Sequence, residues 1–271
     1  MRRIWLCADD YGIAPGVNAA IRDLVARGRL NATSVMVVAP GFSLAELNAL
    51  TAAGRCAIGL HVTLTGPFKP LTPDFAPLAD GAFHPVQAML RLALLRRLDS
   101  GALRRELDAQ VAAFTTALGR PPDFIDGHQH VHLFPQVRDT VLDTVRRLAP
   151  DAWLRQCASA IPLRNRLHDP KGLLIDVLSR AFRKRAKELG IATNPAFAGT
   201  YTYRPDADFA RLFPAFLKDM PASGLVMCHP GHVDAELERL DPLTTLRERE
   251  YAYIRSDAFV EALKAHDLTL N

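Results

Sequence analysis

Cysteine is scarce in this 271-residue chain: Cys7, Cys56, Cys157 and Cys228 stand alone, with no CxxC pair. That pattern excludes a disulfide-stapled small scaffold and reads as the reduced thiols of a cytoplasmic protein. Long apolar runs are missing too. No uncharged stretch approaches the ~20 residues that a membrane-spanning helix needs. After Met1-Arg2-Arg3 only Ile4 to Ala8 precede Asp9 and Asp10, too short for a signal-peptide core. A strong charge of one sign is absent: 33 basic against 29 acidic residues leave +4. With no recognised nucleic-acid module, that small excess argues against a nucleic-acid partner. Repeats, linkers and low-complexity tracts are lacking as well. What remains is 49% hydrophobic and 23% charged residues, an ordinary globular composition. A chain this long buries most of its apolar surface without staples, so a metal here would serve chemistry more than folding.

Strand and helix signals alternate from end to end. Arg3 to Ala8 predicts a first buried strand, and Pro15 to Val25 an amphipathic helix stopped by Gly28. Ser34 to Val38 predicts a second strand, Leu44 to Ala53 a helix closed by Gly54, and Cys56 to Leu64 a third strand. Helices are expected at Val86 to Leu98, Leu103 to Leu118, Val137 to Leu148, Leu173 to Leu189, Phe209 to Met220 and Leu246 to Ala265. Further strands are expected at Asp123 to Gly127, Ala152 to Leu154 and Leu225 to Cys228. Such βα repetition implies an α/β fold with parallel strands, either a barrel or an open doubly wound sheet. Between Gly66 and Phe83 the pattern breaks. Pro67, Pro70, Pro73 and Pro77, with Phe68, Phe75 and Phe83, predict a lid or rim loop able to close over a ligand. The cations Arg180, Arg183, Lys184, Arg185 and Lys187 read as a solvated helix face, or as a patch for phosphate or anionic lipid.

Functional groups of parallel α/β folds gather beyond the carboxyl ends of the strands. Four segments fit that rule: Asp9-Asp10-Tyr11-Gly12, Gly59-Leu60-His61, Asp126-Gly127-His128-Gln129-His130-Val131-His132, and Cys228-His229-Pro230-Gly231-His232. Adjacent buried carboxylates repel unless a cation is near. One of the pair Asp9-Asp10 could bind a divalent metal while the other acts as a base; alternatively the pair caps the following helix. Asp126, His128, His130 and His132 alternate, so an extended backbone would point them to one side. His61 sits in an apolar strand, where a lone histidine can also be a satisfied core residue. One Asp and two His from separate strands make an N/O site suited to Zn²⁺ or another divalent ion. Pro230-Gly231 allows a sharp turn that would aim His229 into the site. Cys228, pointing opposite to His229, is not expected to be a nucleophile.

Ala8-Asp9-Asp10-Tyr11-Gly12, Gly59-Leu60-His61-Val62-Thr63-Leu64-Thr65, Ile125 to His132 and His229-Pro230-Gly231-His232-Val233-Asp234 occur in the order found in the YdjC-like (ChbG/HpnK) carbohydrate deacetylases, which this chain resembles. Asn18 matches the Asn that follows the family's first motif. Arg247-Glu248-Arg249-Glu250 resembles its closing R-x-x-E segment. The likeness covers nearly the whole chain and is weak from about 155 to 200. It implies an irregular (β/α) barrel (TIM-like) over a single domain, 1–271, in a cytoplasmic homodimer. It further implies a divalent-metal (Zn²⁺ or Mg²⁺) hydrolase that removes acetyl from N-acetylated sugars. By motif, Asp10, His61 and His128 would hold the metal, with His130 behind them or as an alternative ligand. Asp9 would be the base and His229 the catalytic acid. Tyr11 stands where the family usually has Phe, adding a hydroxyl near the site. The substrate would be a chitooligosaccharide or an N-acetylglucosaminyl glycolipid, the latter with a peripheral contact to membrane lipid. Rival readings are another metal-dependent sugar barrel enzyme, an isomerase or phosphoesterase, and a non-catalytic carbohydrate-binding protein. The latter would have no need of a base beside its metal.

Overall fold

The computed structural model of the chain describes residues 1–73, 75, 80–159 and 170–271. In chain order its elements are β1 (Arg2–Arg3), β2 (Trp5–Tyr11), α1 (Pro15–Ala26), β3 (Ala32–Val35), α2 (Leu44–Ala53) and β4 (Ala57–Val62). Next come α3 (Val86–Leu94), α4 (Ser100–Leu118), β5 (Phe124–Gly127), a 3₁₀ turn (His128–Leu133), α5 (Pro135–Leu148), β6 (Trp153–Leu154) and α6 (Pro170–Glu188). The chain continues through β7 (Phe197–Ala198), α7 (Phe209–Leu217), β8 (Leu225–Cys228), α8 (Ala235–Leu240), α9 (Thr245–Arg255), α10 (Asp257–Ala265) and β9 (Leu268–Thr269). Seven parallel strands form a sheet in the order β6-β5-β4-β3-β2-β8-β7, the sheet of an irregular (β/α) barrel as the sequence predicts. No helix among the described residues is long and apolar enough to cross a membrane.

Two compact units make up the chain. The first holds residues 1–34, 40–58 and 194–271. Here β2 is buried from Leu6 to Tyr11, as expected of a parallel strand covered on both faces. It pairs with β8 from Trp5↔Leu225 to Ala8↔Cys228. Helix α1 begins at Pro15, whose missing N–H costs nothing at a helix start, and buries Val17, Ala20, Ile21, Leu24 and Val25. The strand expected at Ser34 to Val38 begins instead at Ala32, because polar residues join it: the Thr33 hydroxyl donates to the Ala8 carbonyl at 2.8 Å. A short parallel pair, β1 with β9, has no signal in the sequence pattern. The helix expected over Leu246 to Ala265 is two helices. Ser256 is extended between them (φ −75°, ψ 164°), and its hydroxyl donates to the Tyr253 carbonyl at 2.7 Å, a local bond that competes with helix continuation.

The second unit holds residues 35–39 and 59–193. Strand β5 pairs with β4 (His61↔Asp126) and with β6 (Phe124↔Trp153). Gly59 is required by packing: a Cβ there would lie 2.5 Å from the Phe124 ring. Two buried polar residues of α4 hold the segments that follow β4. Gln110 accepts the Thr63 N–H at 3.1 Å and donates to the Thr63 carbonyl at 2.8 Å. Glu106 accepts the backbone N–H groups of Leu71 and Thr72 at 3.1 and 2.8 Å, and the Thr72 hydroxyl at 2.7 Å.

The proline-rich loop is therefore anchored rather than loose over its described part. Its phenylalanines do not offer open stacking faces. Phe68, Phe75 and Phe83 are all buried, and Phe75 meets Phe83 edge to face at 5.4 Å. Phe75 and Phe83 pack on one another, and Phe68 packs on the His128 ring. Pro77 lies outside the described residues, as do 160–169.

Removing the Glu106 acceptor breaks three partly buried hydrogen bonds, each worth roughly 0.5–1.5 kcal/mol. Glu106→Ala is expected to lower the urea midpoint and to speed proteolysis within 66–83. Unchanged cleavage there would show that the phenylalanines alone hold the loop.

Candidate active site

In the first unit the site grows from the end of β2. Asp10 has φ 68°, a left-handed conformation that Asp tolerates better than most residues. The Gly12 N–H donates to Asn18 Oδ1 at 2.6 Å, and Asn18 Nδ2 donates to the Gly41 carbonyl at 3.0 Å, which fixes the turn. Neither acid caps α1: its N-cap is Ala14, with no side-chain hydrogen bond. Asp10 Oδ2 instead accepts from Arg247 Nη2 at 2.7 Å, and the same nitrogen meets Asp241 Oδ2 at 2.7 Å. Burial opposes charge on Arg247, but Asp10 and Asp241 outweigh it and the guanidinium is held protonated.

Asp9 is also buried. Its Oδ2 stands 4.0 Å from His229 Nε2, and the Cys7 thiol approaches its Oδ1 at 3.7 Å. His229 follows β8, as the sequence predicts. Its N–H donates to Glu250 Oε2 at 2.5 Å, while Tyr201 donates its hydroxyl to Glu250 Oε1 at 2.6 Å. Burial raises Glu250 above the usual carboxylate range, offset in part by His229, Tyr201 and Arg247. The half-buried Tyr203 sets its ring edge against His229 at 5.7 Å. Burial, then Glu250 and Asp9, keep its phenol protonated far above its ordinary range. The Tyr11 hydroxyl, expected near the site, is spent elsewhere: it donates to the Glu46 carbonyl at 2.8 Å.

In the second unit, His61 Nδ1 lies 2.6 Å from Asp126 Oδ1, and Arg155 Nη1 lies 3.1 Å from Asp126 Oδ2. Burial pushes Asp126 up, yet Arg155 and His61 outweigh it and the carboxyl ends below its usual value. With Nδ1 committed to Asp126, Nε2 is the nitrogen through which His61 can serve a metal, the orientation that outer carboxylates impose on ligand histidines. The His128 ring packs edge to face with His61 and with Phe68, both at 5.7 Å.

The alternating arrangement expected for Asp126, His128, His130 and His132 is not formed. The backbone leaves the strand at Gly127 and enters the 3₁₀ turn, with Gln129 and His130 at φ 51° and 58°. His130 Nδ1 comes to 3.5 Å from Cys157 Sγ. His132 turns inward to the Arg155 carbonyl (Nε2, 2.9 Å) and the Phe182 ring. Asp10 is buried in the first unit, and His61 and His128 are buried in the second. Arg155, Tyr201 and Tyr203 carry no motif signal. Glu250 and Arg247 are legible only as part of the closing R-x-x-E segment.

The family model described as YdjC-like protein matches residues 3–265. A chitooligosaccharide deacetylase of Yersinia pestis (strain Pestoides F) is 30% identical over 233 residues, 85% of this chain and 82% of its own length. The same figures hold for the chitooligosaccharide deacetylase of Yersinia pseudotuberculosis serotype O:1b. Among solved structures, one from Enterococcus faecalis V583, provisionally described as a cellobiose-phosphate cleavage protein, has a TM-score of 0.80 at 21% identity and covers 100% of this chain and 97% of its own. A family 4 carbohydrate esterase from Streptomyces lividans, in complex with acetate, has a TM-score of 0.50 at 9% identity, covering 99% and 91%. At these identities both structures bear on the fold.

His132 yields a test of the buried geometry. Burial first, then the Arg155 charge, lower its pKa to about 3. An unfolded histidine takes its proton near 6.5. Between about 6.5 and 3 the unfolded chain thus binds more protons, and stability falls as pH falls through that window, by at most ~1.4 kcal/mol per pH unit. His132→Asn is expected to shrink the stability difference between about pH 7 and about pH 4.5, read from urea unfolding. A difference as large as the parent's would place the acid sensitivity on other groups.

Proposed function

Because the chain belongs to the YdjC-like family, we propose that it is a carbohydrate N-deacetylase, hydrolysing the acetamide of an N-acetylated sugar. The observation that carries this reading is the Asp9–His229 pair. Oδ2 and Nε2 stand 4.0 Å apart, too far for a direct hydrogen bond and close enough for both to reach one amide. Chitooligosaccharide deacetylase is the name of the relatives quoted above, and an N-acetylglucosaminyl glycolipid presents the same bond. A glycolipid would bring the protein into peripheral contact with a membrane surface. In this reading residues 1–271 act as one deacetylase domain of a cytoplasmic homodimer.

Asp10, His61 and His128 would hold a divalent cation, Zn²⁺ or Mg²⁺. The donor set fits: one carboxylate already fixed by Arg247, one imidazole fixed by Asp126, and a second imidazole braced by Phe68. When bound, such an ion lowers the pKa of water and polarises a carbonyl. The chain's own residues move the protons. The Asp9 carboxylate accepts a proton from the attacking water as the new C–O bond forms. Protonated His229 gives its proton to the leaving nitrogen as the C–N bond breaks, so acetate and a free amine leave. Holding both groups beside one amide replaces collisions with fixed geometry. Asp126, held below its usual range by Arg155 and His61, is a poor base.

Acetate release from a panel of N-acetylated oligosaccharides and glycolipids, after chelation and metal add-back, tests the activity. Isomerised sugar or inorganic phosphate as product would support the rival barrel chemistries instead. Asp10→Ala and His128→Ala should lose bound metal and activity together. Asp9→Asn should keep its metal content and lose about 10²-fold or more in kcat. An Asp9→Asn protein with an empty metal site would make Asp9 a ligand, and the division of roles would fail.

A further inference from the structure

Helix α9 grips the turn after β8 at two points one helical turn apart. The Gly231 N–H donates to the Arg247 carbonyl at 3.1 Å, and the His229 N–H donates to Glu250 Oε2 at 2.5 Å. Strand pairing of β8 with β2 ends at Ala8↔Cys228, and Pro230 has no N–H to give. The fully buried Glu250 therefore supplies the acceptor that fixes the backbone of His229. Its other oxygen is filled by the Tyr201 hydroxyl at 2.6 Å. Tyr201 belongs to an aromatic cluster with Tyr203 at 4.3 Å, and Tyr203 presents its edge to the His229 ring.

We infer that Glu250, clamped by Tyr201, is a positioning residue that sets the place and direction of His229. This rests on the reading of His229 as the proton donor. A buried carboxylate with both oxygens engaged has little freedom to shift, and the residue bonded to it inherits that rigidity. The groups facing His229 are Asp9, Glu250 and the Tyr203 ring. The clamp accounts for the two ends of the R-x-x-E segment as one device. Residues three apart share a helix face; Arg247 faces Asp10, and Glu250 faces His229.

The test compares Glu250→Ala, Glu250→Gln, Tyr201→Phe and His229→Ala in the full chain, reading kcat, KM, the pH–rate profile, melting and metal content. Glu250→Ala is expected to lose about 10²-fold in kcat, the scale of a ~1 Å misplacement, with KM and metal content nearly unchanged. Glu250→Gln keeps an acceptor for the His229 N–H and should recover most of kcat. Losing the negative charge should move its alkaline limb to lower pH, because the imidazolium is less favoured. Should Glu250→Ala fail to fold, Tyr201→Phe still reports, with an expected several-fold loss in kcat at constant KM. If His229→Ala is inactive while a folded Glu250→Ala keeps kcat within about twofold and its alkaline limb in place, the inference is overturned and the role of His229 stands. It is equally overturned if Glu250→Ala does not fold and Tyr201→Phe keeps full kcat. If His229→Ala itself keeps full activity, the reading beneath the inference is what fails.

Discussion

The ion pair between Asp10 and Arg247 is the contact on which the first unit's site depends. Both groups are buried, and Nη2 of Arg247 lies 2.7 Å from Asp10 Oδ2 and from Asp241 Oδ2. Desolvating two charges costs several kcal/mol per ion, recovered only when geometry and extra hydrogen bonds are good. Here a second carboxylate and the Leu243 carbonyl, which accepts from Arg247 Nε at 2.9 Å, add acceptors for Nη2 and Nε, while the buried Nη1 has no hydrogen-bond partner among the described residues. That arrangement lets a second aspartate sit at position 9 without a large repulsive cost, since the guanidinium offsets its neighbour's charge. It also fixes the register of α9. With Arg247 pinned to Asp10, the next turn of the helix has to bring Glu250 to the backbone of His229.

The second unit solves the same problem with different parts. Asp126 is bracketed by Arg155 and His61, so its charge is retained in spite of full burial. Its hydrogen bond selects the ring nitrogen that His61 can offer outward. In each unit, an arginine later in the chain neutralises an aspartate at a strand end. At Asp126 the arginine leaves the carboxylate ionised and oriented but poorly basic. Such aspartates suit a ligand or an orienting role better than proton abstraction, because a base must compete for protons that a neighbouring cation makes costly to accept.

Much of this is legible in the sequence. Helix α2 and strand β8 appear at the residues their patterns mark, because Ser43, Gly54 and the apolar run of Leu225 to Cys228 are local signals. The strand-end motifs are readable for the same reason: parallel topology sends Asp9, Asp10, His61, His128 and His229 to the carboxyl side of the sheet. What fails is the expectation that an extended backbone points Asp126, His128, His130 and His132 to one side. Nothing local in Gly127-His128-Gln129-His130 announces two consecutive non-glycine residues at positive φ. That turn is imposed by tertiary packing of His132 against Phe182 and by its bond to the Arg155 carbonyl. Arg155 and Tyr201 are invisible because their importance lies in partners 29 and 49 residues away along the chain (Asp126 and Glu250), a distance at which no periodicity speaks. Phe75 and Phe83 mislead because composition counts aromatic rings without telling packed from open ones.

Four buried carboxylates near the strand ends differ in what they would give up by taking a proton. Asp10 faces Arg247, Asp126 faces Arg155, and Glu250 accepts two donors at 2.5 and 2.6 Å. For each, protonation means giving up an ion pair or a short hydrogen bond. Asp9 faces a thiol at 3.7 Å, a weak donor, and an imidazole whose nearest nitrogen is 4.0 Å away. An imidazole is the side chain best suited to carry the complementary proton, since histidine in general titrates near neutral pH. In the proposed reading, a carboxylate opposite an imidazole, separated by about the width of one amide, would be the base and acid that hydrolysis of an acetamide requires. The arginines orient Asp10 and Asp126, and the proposed acid–base work is assigned to Asp9 and His229, which face one another across 4.0 Å.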